Sequence, residues 1–229
     1  MDVDSTRFSP ADRESLYRIM EQRRDVRCGF LPTPVPENAL MRLLHAAHCA
    51  PSVGLMQPAR FIVIRDPALR EHMYKAFQRA NQLAAEKYEG EQRQLYDGLK
   101  LQGLREAPLH LCVVCDHRSE QGHGLGRQTM PQMSAYSAVC AVQNLWLAAR
   151  AEGIGVGWVS IFNPEDLRAL LAVPEGVEVV AYLCIGYVAE FAERPDLERF
   201  GWESRRGLEE ALYSEKFGEP YRAESVTHE

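Results

Sequence analysis

The sequence predicts an α+β fold in which a small mixed sheet is packed between helices. Three observations carry that expectation. Apolar patterns of helical and strand type follow one another in the order helix, helix, strand, helices, strand, long helix, strand, helix, strand. The β-prone runs are short and few, about four or five, which makes the sheet small for 229 residues. No repeat, low-complexity linker or shift in composition divides the chain, so residues 1–229 are expected to form a single domain.

Each element has its own justification. Asp12 to Arg24 reads as a helix, with Leu16, Ile19 and Met20 at helical spacing, and Ser9-Pro10 suits its start. Gly29–Pro36 carries Pro32, Pro34 and Pro36 and reads as an extended connector. Glu37 to Cys49 is a second helix, with Leu40, Leu43, Leu44 and Ala47 on one face and Pro51 as its stop. Phe61–Ile64 is a short β-rich run bounded by Asp66-Pro67. A long polar helical region is expected from about Ala68 to Glu106, punctuated by Gly90, Gly98 and Gly103. Leu109–Cys115 is apolar and β-prone and reads as a buried strand; His117–Pro131, rich in glycine, reads as a loop. Gln132–Glu152 is nearly all apolar, the pattern of a helix buried all round, often in an oligomer core. Gly153–Phe162 is Gly-rich and then strand-like, Pro164–Leu171 is a short helix, and Val177–Val188 is a strong strand. After Glu190 the tail is polar, with a last helix expected near Leu208–Phe217.

Composition excludes several classes of function. With 46% hydrophobic and 25% charged residues, the chain can bury a core without disulfide or metal staples. A net charge of −6 argues against a nucleic-acid footprint. No apolar stretch reaches the ~18–20 residues of a membrane span. The N-terminal MDVDSTRF has no hydrophobic run, so no export signal is expected; the expected compartment is the cytoplasm, with all six cysteines reduced.

Three constellations stand out, each with a plainer reading beside it. Arg23-Arg24-Asp25-Val26-Arg27 is the densest charge cluster; extended chain would put Arg23, Asp25 and Arg27 on one side and Arg24 on the other. Guanidinium forks suit a phosphomonoester, whereas the plainer reading is a solvated cluster with an internal ion pair. Ala50-Pro51-Ser52-Val53-Gly54-Leu55-Met56-Gln57-Pro58 follows a helix and can reach the edge of a planar ligand through Ser52 and Gln57, or be an ordinary helix-to-strand turn. Gly153-Ile154-Gly155-Val156-Gly157-Trp158-Val159-Ser160 has the glycines of a dinucleotide loop in the wrong order, helix then strand, so that reading is rejected. Its glycines fit close backbone approach to a flat ligand, or a chain reversal.

Weaker signals are set aside. Cys112 and Cys115 have zinc or redox spacing, but on a strand they point to opposite faces and read as structural. His45 and His48 lack a carboxylate to complete a ligand set, so no metal is expected. No Gly-x-Ser-x-Gly elbow or His-Glu-x-x-His helix supports hydrolase chemistry.

Taken together and in order, RRDVRCGFLP, AAHCAPSVGLMQP, KLQGLREAPL, PQMSAYSAVCAVQNLWLAARAEGIGVGWVSIF and VAYLCIGYV resemble the nitroreductase-like flavoproteins. The likeness spans about Leu16 to Leu212 and is closest to the flavin-destroying branch of that family, the 5,6-dimethylbenzimidazole synthases. Asp25 stands where ordinary nitroreductases carry Ser, and Leu55 where they carry Asn near the hydride-transferring edge of the ring; both departures agree with that branch.

The resemblance implies that reduced FMN is consumed as a substrate with O2. The products are 5,6-dimethylbenzimidazole, the lower ligand of cobalamin, and erythrose 4-phosphate. It assigns Arg23, Arg24, Arg27 and Arg205 to the phosphate and ribityl end. Asp25 becomes the general base at C1′, and Ser160 a group acting near N5 and C4a. Val26, Ser52, Met56, Gln57, Gly157 and Trp158 complete the flavin contacts. It implies further a homodimer with an exchanged C-terminal extension at about 190–229, a lid at about 78–102, and a separate flavin reductase. Two alternatives remain open at this point: an NAD(P)H-dependent nitroreductase that retains FMN, and a non-catalytic flavin-binding protein.

Overall fold

Three helices open on a capping residue followed by proline, and this shared device fixes their starts. In the computed structural model, which describes residues 6–222, the chain runs α1 (Pro10–Gln22), α2 (Glu37–His48), β1 (Ala59–Ile64), α3 (Pro67–Ala85), α4 (Gly90–Gly98), β2 (Leu109–Asp116), α5 (Met133–Ala151), β3 (Ile154–Val159), α6 (Pro164–Leu170), β4 (Val177–Tyr187) and α7 (Asp196–Arg199). Ser9 before α1, Asp66 before α3 and Asn163 before α6 each accept a first-turn N–H, from Asp12 at 3.2 Å, Ala68 at 2.9 Å and Glu165 at 3.1 Å. Proline then occupies the position whose N–H has no helical partner. Residues 1–5 of the expected unsignalled N-terminus and 223–229 of the expected C-terminal extension lie outside the described residues.

The strands form one sheet in the order β1-β2-β4-β3, and every neighbouring pair is antiparallel. The mixed sheet expected from the sequence is corrected to that extent. Connectivity is the reason: α3 and α4 together return the chain to the end where β1 stopped, so His110 pairs with Ile64 and β2 runs back. The parallel component is a single bridge, Asp25 to Val156, where the segment after α1 joins the free edge of β3.

Both faces are covered. Leu40 and Leu43 of α2 and Val142 and Leu145 of α5 pack on Leu111, Val113, Leu183 and Ile185. On the other face Met73 and Phe77 of α3, Leu167 of α6, and Val26, Phe30 and Leu104 cover Cys112, Val114, Tyr182 and Cys184. Strands buried on both faces read as near-continuous apolar runs, as Leu111–Cys115 of β2 and Ala181–Ile185 of β4 do. Cys112 and Cys115 are both buried, and burial pushes their thiols up to about 12 and about 11, which suits structural residues.

Two further expectations change. The long helical region breaks after Ala85, restarts at Gly90 with φ +55, and ends at Gly98; residues 99–108 are not helical. The last helix is instead a single 3-10 turn, Leu208–Ala211, followed by a bridge between Tyr213 and Pro220. Helix α5 turns Ala138, Val142 and Leu145 to the core of its own chain and leaves Tyr136 and Val139 exposed there. Helix α1 buries no residue, and its Leu16, Tyr17 and Met20 are also exposed. Among the described residues no helix is long and apolar enough to cross a membrane.

His110 on β2 is fully buried, and its Nδ1 lies 2.8 Å from the Tyr182 hydroxyl. Burial, reinforced by the charge of Arg70, lowers its pKa from 6.5 to about 3. Between those values the unfolded chain binds a proton that the native chain excludes, so stability falls as pH drops through this window and levels off below it. This one group contributes a slope of at most about 1.4 kcal/mol per pH unit. Urea unfolding between pH 7 and pH 4 should show that slope, and His110→Gln should flatten it. An unchanged slope in the variant would assign the acid sensitivity to other groups.

Candidate functional site

The site is built where α1 ends. Arg23 leaves the helix in extended conformation, φ −62 and ψ 135, and the chain then lies along β3. The Val26 N–H donates to the Val156 carbonyl at 3.0 Å. A Cβ on Gly157 would overlap the Val26 carbonyl oxygen. Glycine at this position therefore admits the chain's own backbone, where the sequence suggested a flat ligand or a chain reversal. The Val26 side chain is buried in the core, leaving its backbone as the part that faces the site.

Asp25 is held at both carboxylate oxygens. Oδ1 accepts the Trp158 N–H at 2.8 Å, and Oδ2 accepts Nε of Arg27 at 2.8 Å. Helix α5 fastens the segment from behind. The Trp146 indole donates to the Arg24 carbonyl at 3.1 Å, the Arg23 guanidinium lies 4.7 Å from the Trp146 ring centroid, and Arg150 donates to the Gln22 carbonyl at 3.2 Å.

The arginines divide by what they bind. Arg24 donates to the carbonyls of Glu21 and Arg23, at 2.6 and 2.8 Å, and to that of Glu193; it staples the segment to the stretch after β4. Arg24 Nε and Arg27 Nη1 are buried and have no acceptor among the described residues. Orphaned cationic donors of this kind suit an incoming anion. They border a cavity of about 200 Å³ lined by Arg23, Asp25, Leu197 and Arg205 as well. Burial lowers the Arg23 pKa; Asp25 opposes the shift, and Arg205 and Arg24 add to it. An adjoining cavity of about 180 Å³ shares Arg24, Asp25, Arg27 and Asp196 and adds Arg194 and Arg199. Sequence reasoning missed Asp196, Arg194 and Arg199. They sit in a polar tail with no pattern, and only the return of the chain after β4 brings them to the segment.

The predicted residues form two groups. Gly157, Trp158 and Arg205 lie with the arginine segment. Ser160, exposed just beyond β3, is on the same side of the strand as Trp158. Ser52, Met56 and Gln57 precede β1, at the opposite edge of the sheet. Three strand spacings separate the two edges, about 14 Å. Ser52 Oγ accepts the Gln57 N–H at 2.8 Å, and the Met56 side chain is buried with its Sδ 3.5 Å from the Ser134 hydroxyl. Leu55 and Gln57 have φ of +53 and +40, uncommon for non-glycine residues and a mark of constraint.

A model described as the nitroreductase family matches residues 20–187. The chain belongs to the nitroreductase family. It is 49% identical over 199 residues to the 5,6-dimethylbenzimidazole synthase of Rhodospirillum rubrum, covering 87% of this chain and 94% of that one. It is 43% identical over 197 residues to the enzyme of the same name from Rhodobacter capsulatus, covering 86% and 94%. An iodotyrosine deiodinase bound to FMN and 3-iodo-L-tyrosine superposes with a TM-score of 0.66 at 24% identity, covering 77% of this chain and 91% of that one. Nitroreductase A from Vibrio parahaemolyticus superposes with a TM-score of 0.66 at 17% identity, covering 90% and 78%. At such identities a likeness shows the shared fold.

The Gly157 contact gives a direct test. Gly157→Ala should break the Val26–Val156 bond and the Asp25–Trp158 bond together, costing more than about 2 kcal/mol. Chemical denaturation measures it; a loss under about 0.5 kcal/mol would mean that the segment does not depend on this close approach.

Proposed function

We propose that this chain fragments reduced FMN with O2 to 5,6-dimethylbenzimidazole, the lower ligand of cobalamin, and releases erythrose 4-phosphate. One observation carries the reading: identity to synthases of that name runs over nearly their whole length; Asp25 in the arginine segment agrees with it. The fold neighbour bound to FMN supports flavin as the ligand class. FMN is the substrate here. The dimethylbenzene ring keeps its two nitrogens and takes its remaining carbon from C1′ of the ribityl chain; C2′ to C5′ leave as the sugar phosphate, the pyrimidine part of the flavin leaves as a separate fragment, and O2 is the oxidant.

The chain's own groups have definite tasks under this reading. Arg27 and Arg24, with their unused donors, bind the 5′-phosphate together with Arg23 and Arg205. Asp25 accepts the proton from C1′. Its two present bonds orient the carboxylate and leave further lone pairs free for substrate. Ser160 hydrogen-bonds near N5 and C4a. Ser52, Met56 and Gln57 approach the ring from a second copy of the chain, because one chain holds them at the wrong edge of its sheet. The exposed apolar residues of α1 and α5 fit a homodimer, and Leu208, Tyr213 and Phe217, exposed on their own chain, fit the part of the C-terminal extension that is exchanged between copies. Residues 78–102 form a lid that excludes water; Trp202 of the extension stacks edge-on against Tyr88 and Tyr96 within it, with ring centroids 5.3 and 6.1 Å away. A separate cytoplasmic flavin reductase supplies the reduced FMN.

Aerobic incubation of the purified protein with reduced FMN, assayed by mass, should yield benzimidazole in proportion to flavin lost. Intact FMN without product would defeat the proposal and leave a nitroreductase or a flavin-binding protein. Asp25→Asn should bind FMN nearly as wild type does and lose at least about 100-fold in product formation. Product at a near-normal rate would remove Asp25 as the base. Light scattering at micromolar concentration should report a dimer; a monomer would contradict the shared site.

A further inference from the structure

Two segments far apart in sequence pack backbone to backbone at the β1 edge: the turn Val53–Leu55 and the turn Gln121–Gly124. A Cβ on Gly122 would overlap the Gly54 carbonyl, so the approach needs glycine. A polar chain crosses this contact. The Gln121 side-chain nitrogen donates to the Leu55 carbonyl at 2.8 Å and to Gln57 Oε1 at 3.1 Å, and Gln57 Nε2 lies 3.3 Å from His48 Nε2.

The polarity of this chain is fixed by its first member. A backbone carbonyl only accepts, so the amide nitrogen of Gln121 faces Leu55. The Gln57 atom that meets the same nitrogen must accept, which turns the Gln57 nitrogen towards His48. A His48 Nε2 that accepts from an amide carries no hydrogen, so this bond needs the tautomer with hydrogen on Nδ1. One carbonyl thus sets two amides and one tautomer. The same bonds brace Leu55 and Gln57 at φ +53 and +40.

We propose that Gln121, backed by His48, is a positioning residue for the flavin ring. It holds Leu55 in the left-handed region and fixes the Gln57 amide, leaving one N–H and one lone pair of that amide free to meet ligand. The inference rests on the reading that Leu55 and Gln57 meet the ring. It gives a task to a segment that the sequence showed only as a Gly-rich loop.

The test compares wild type with Gln121→Ala and Gln121→Glu. Three quantities are read: melting temperature, affinity for oxidised FMN by quenching of flavin fluorescence, and benzimidazole formed per reduced FMN oxidised. Gln121→Glu keeps the side chain's size and loses both donated bonds, so it separates hydrogen bonding from packing and stands in if Gln121→Ala fails to fold. Both variants should stay folded, melting at most a few degrees below wild type, and bind FMN about three- to tenfold more weakly, the scale of one or two neutral hydrogen bonds. Product per flavin oxidised should fall as well, because a misplaced ring is reoxidised without being fragmented. Wild-type affinity and yield in both variants would overturn the positioning role and leave the reaction standing. If wild type itself makes no benzimidazole, the reaction fails, and the binding titration alone judges Gln121: equal affinity overturns its role.

Discussion

The bridge between Asp25 and Val156 is the constraint on which the rest of the site depends. It holds a highly charged segment against the edge of an apolar sheet, and it exists because Gly157 offers no Cβ to the Val26 carbonyl. Once the backbone is fixed, the Asp25 side chain reaches the Trp158 N–H and Arg27 at the same time. Like charges repel, and Arg23, Arg24 and Arg27, half-buried around one cavity with the exposed Arg205, would weaken the fold without some relief. Asp25 offsets one of them, backbone carbonyls occupy Arg24, and the Trp146 ring supports Arg23. Donors at Arg24 Nε and Arg27 Nη1 remain, and an anionic ligand would satisfy them.

Helix α5 carries both halves of the site. Near its start, Ser137 accepts the Val53 N–H at 3.3 Å and Ser134 meets Met56, supporting the loop before β1. Near its end, Trp146 and Arg150 fasten the arginine segment. Nine residues separate Ser137 from Trp146, about 14 Å of helix. That spacing is the same as the separation of the sheet edges, so a single rigid rod holds the two halves apart. The side of α5 that carries Tyr136 and Val139 stays exposed. A second copy seated there would bring the loop of one chain to the arginines of the other, and the helix would then serve as spacer and as interface.

Much of this architecture was legible in the sequence because its signals are local. Proline-led helices, strands buried on both faces and the Arg-Arg-Asp-x-Arg segment each declare themselves within a few residues. What the sequence hid depends on contacts between distant segments. The role of Gly157 requires Val26, 131 residues earlier, to be in place. Arg194, Arg199 and Asp196 look like ordinary surface charge until the chain after β4 folds back. The polar region after β1 has helical composition throughout, yet Gly90 in the left-handed region divides it. Helix α5 has the composition of a fully buried helix, but a single chain supplies a cover for only one side. The Gln121 bond to the 53–57 turn has no sequence signature, since glutamine in a glycine-rich loop is unremarkable by composition.

Leu55 shows how such distant contacts bear on function. Its φ of +53 would suit asparagine or glycine, whose αL cost is small, whereas leucine has no side-chain bond to compensate. Its side chain is also 73% exposed. Strain and an exposed apolar surface both work against the stability of the isolated chain, and a polar residue would remove one of them. The surrounding structure nevertheless braces this geometry, through the Gln121 amide on the Leu55 carbonyl and the close approach at Gly54 and Gly122. The neighbouring loop thus holds this turn against the backbone preference of the residue it carries. If the ring lies against this turn as proposed, an apolar side chain there would exclude water from its edge and offer it no hydrogen bond. Such an environment would favour the proposed reaction of reduced flavin with a small apolar co-substrate such as O2 over one that begins with the docking of a polar hydride donor.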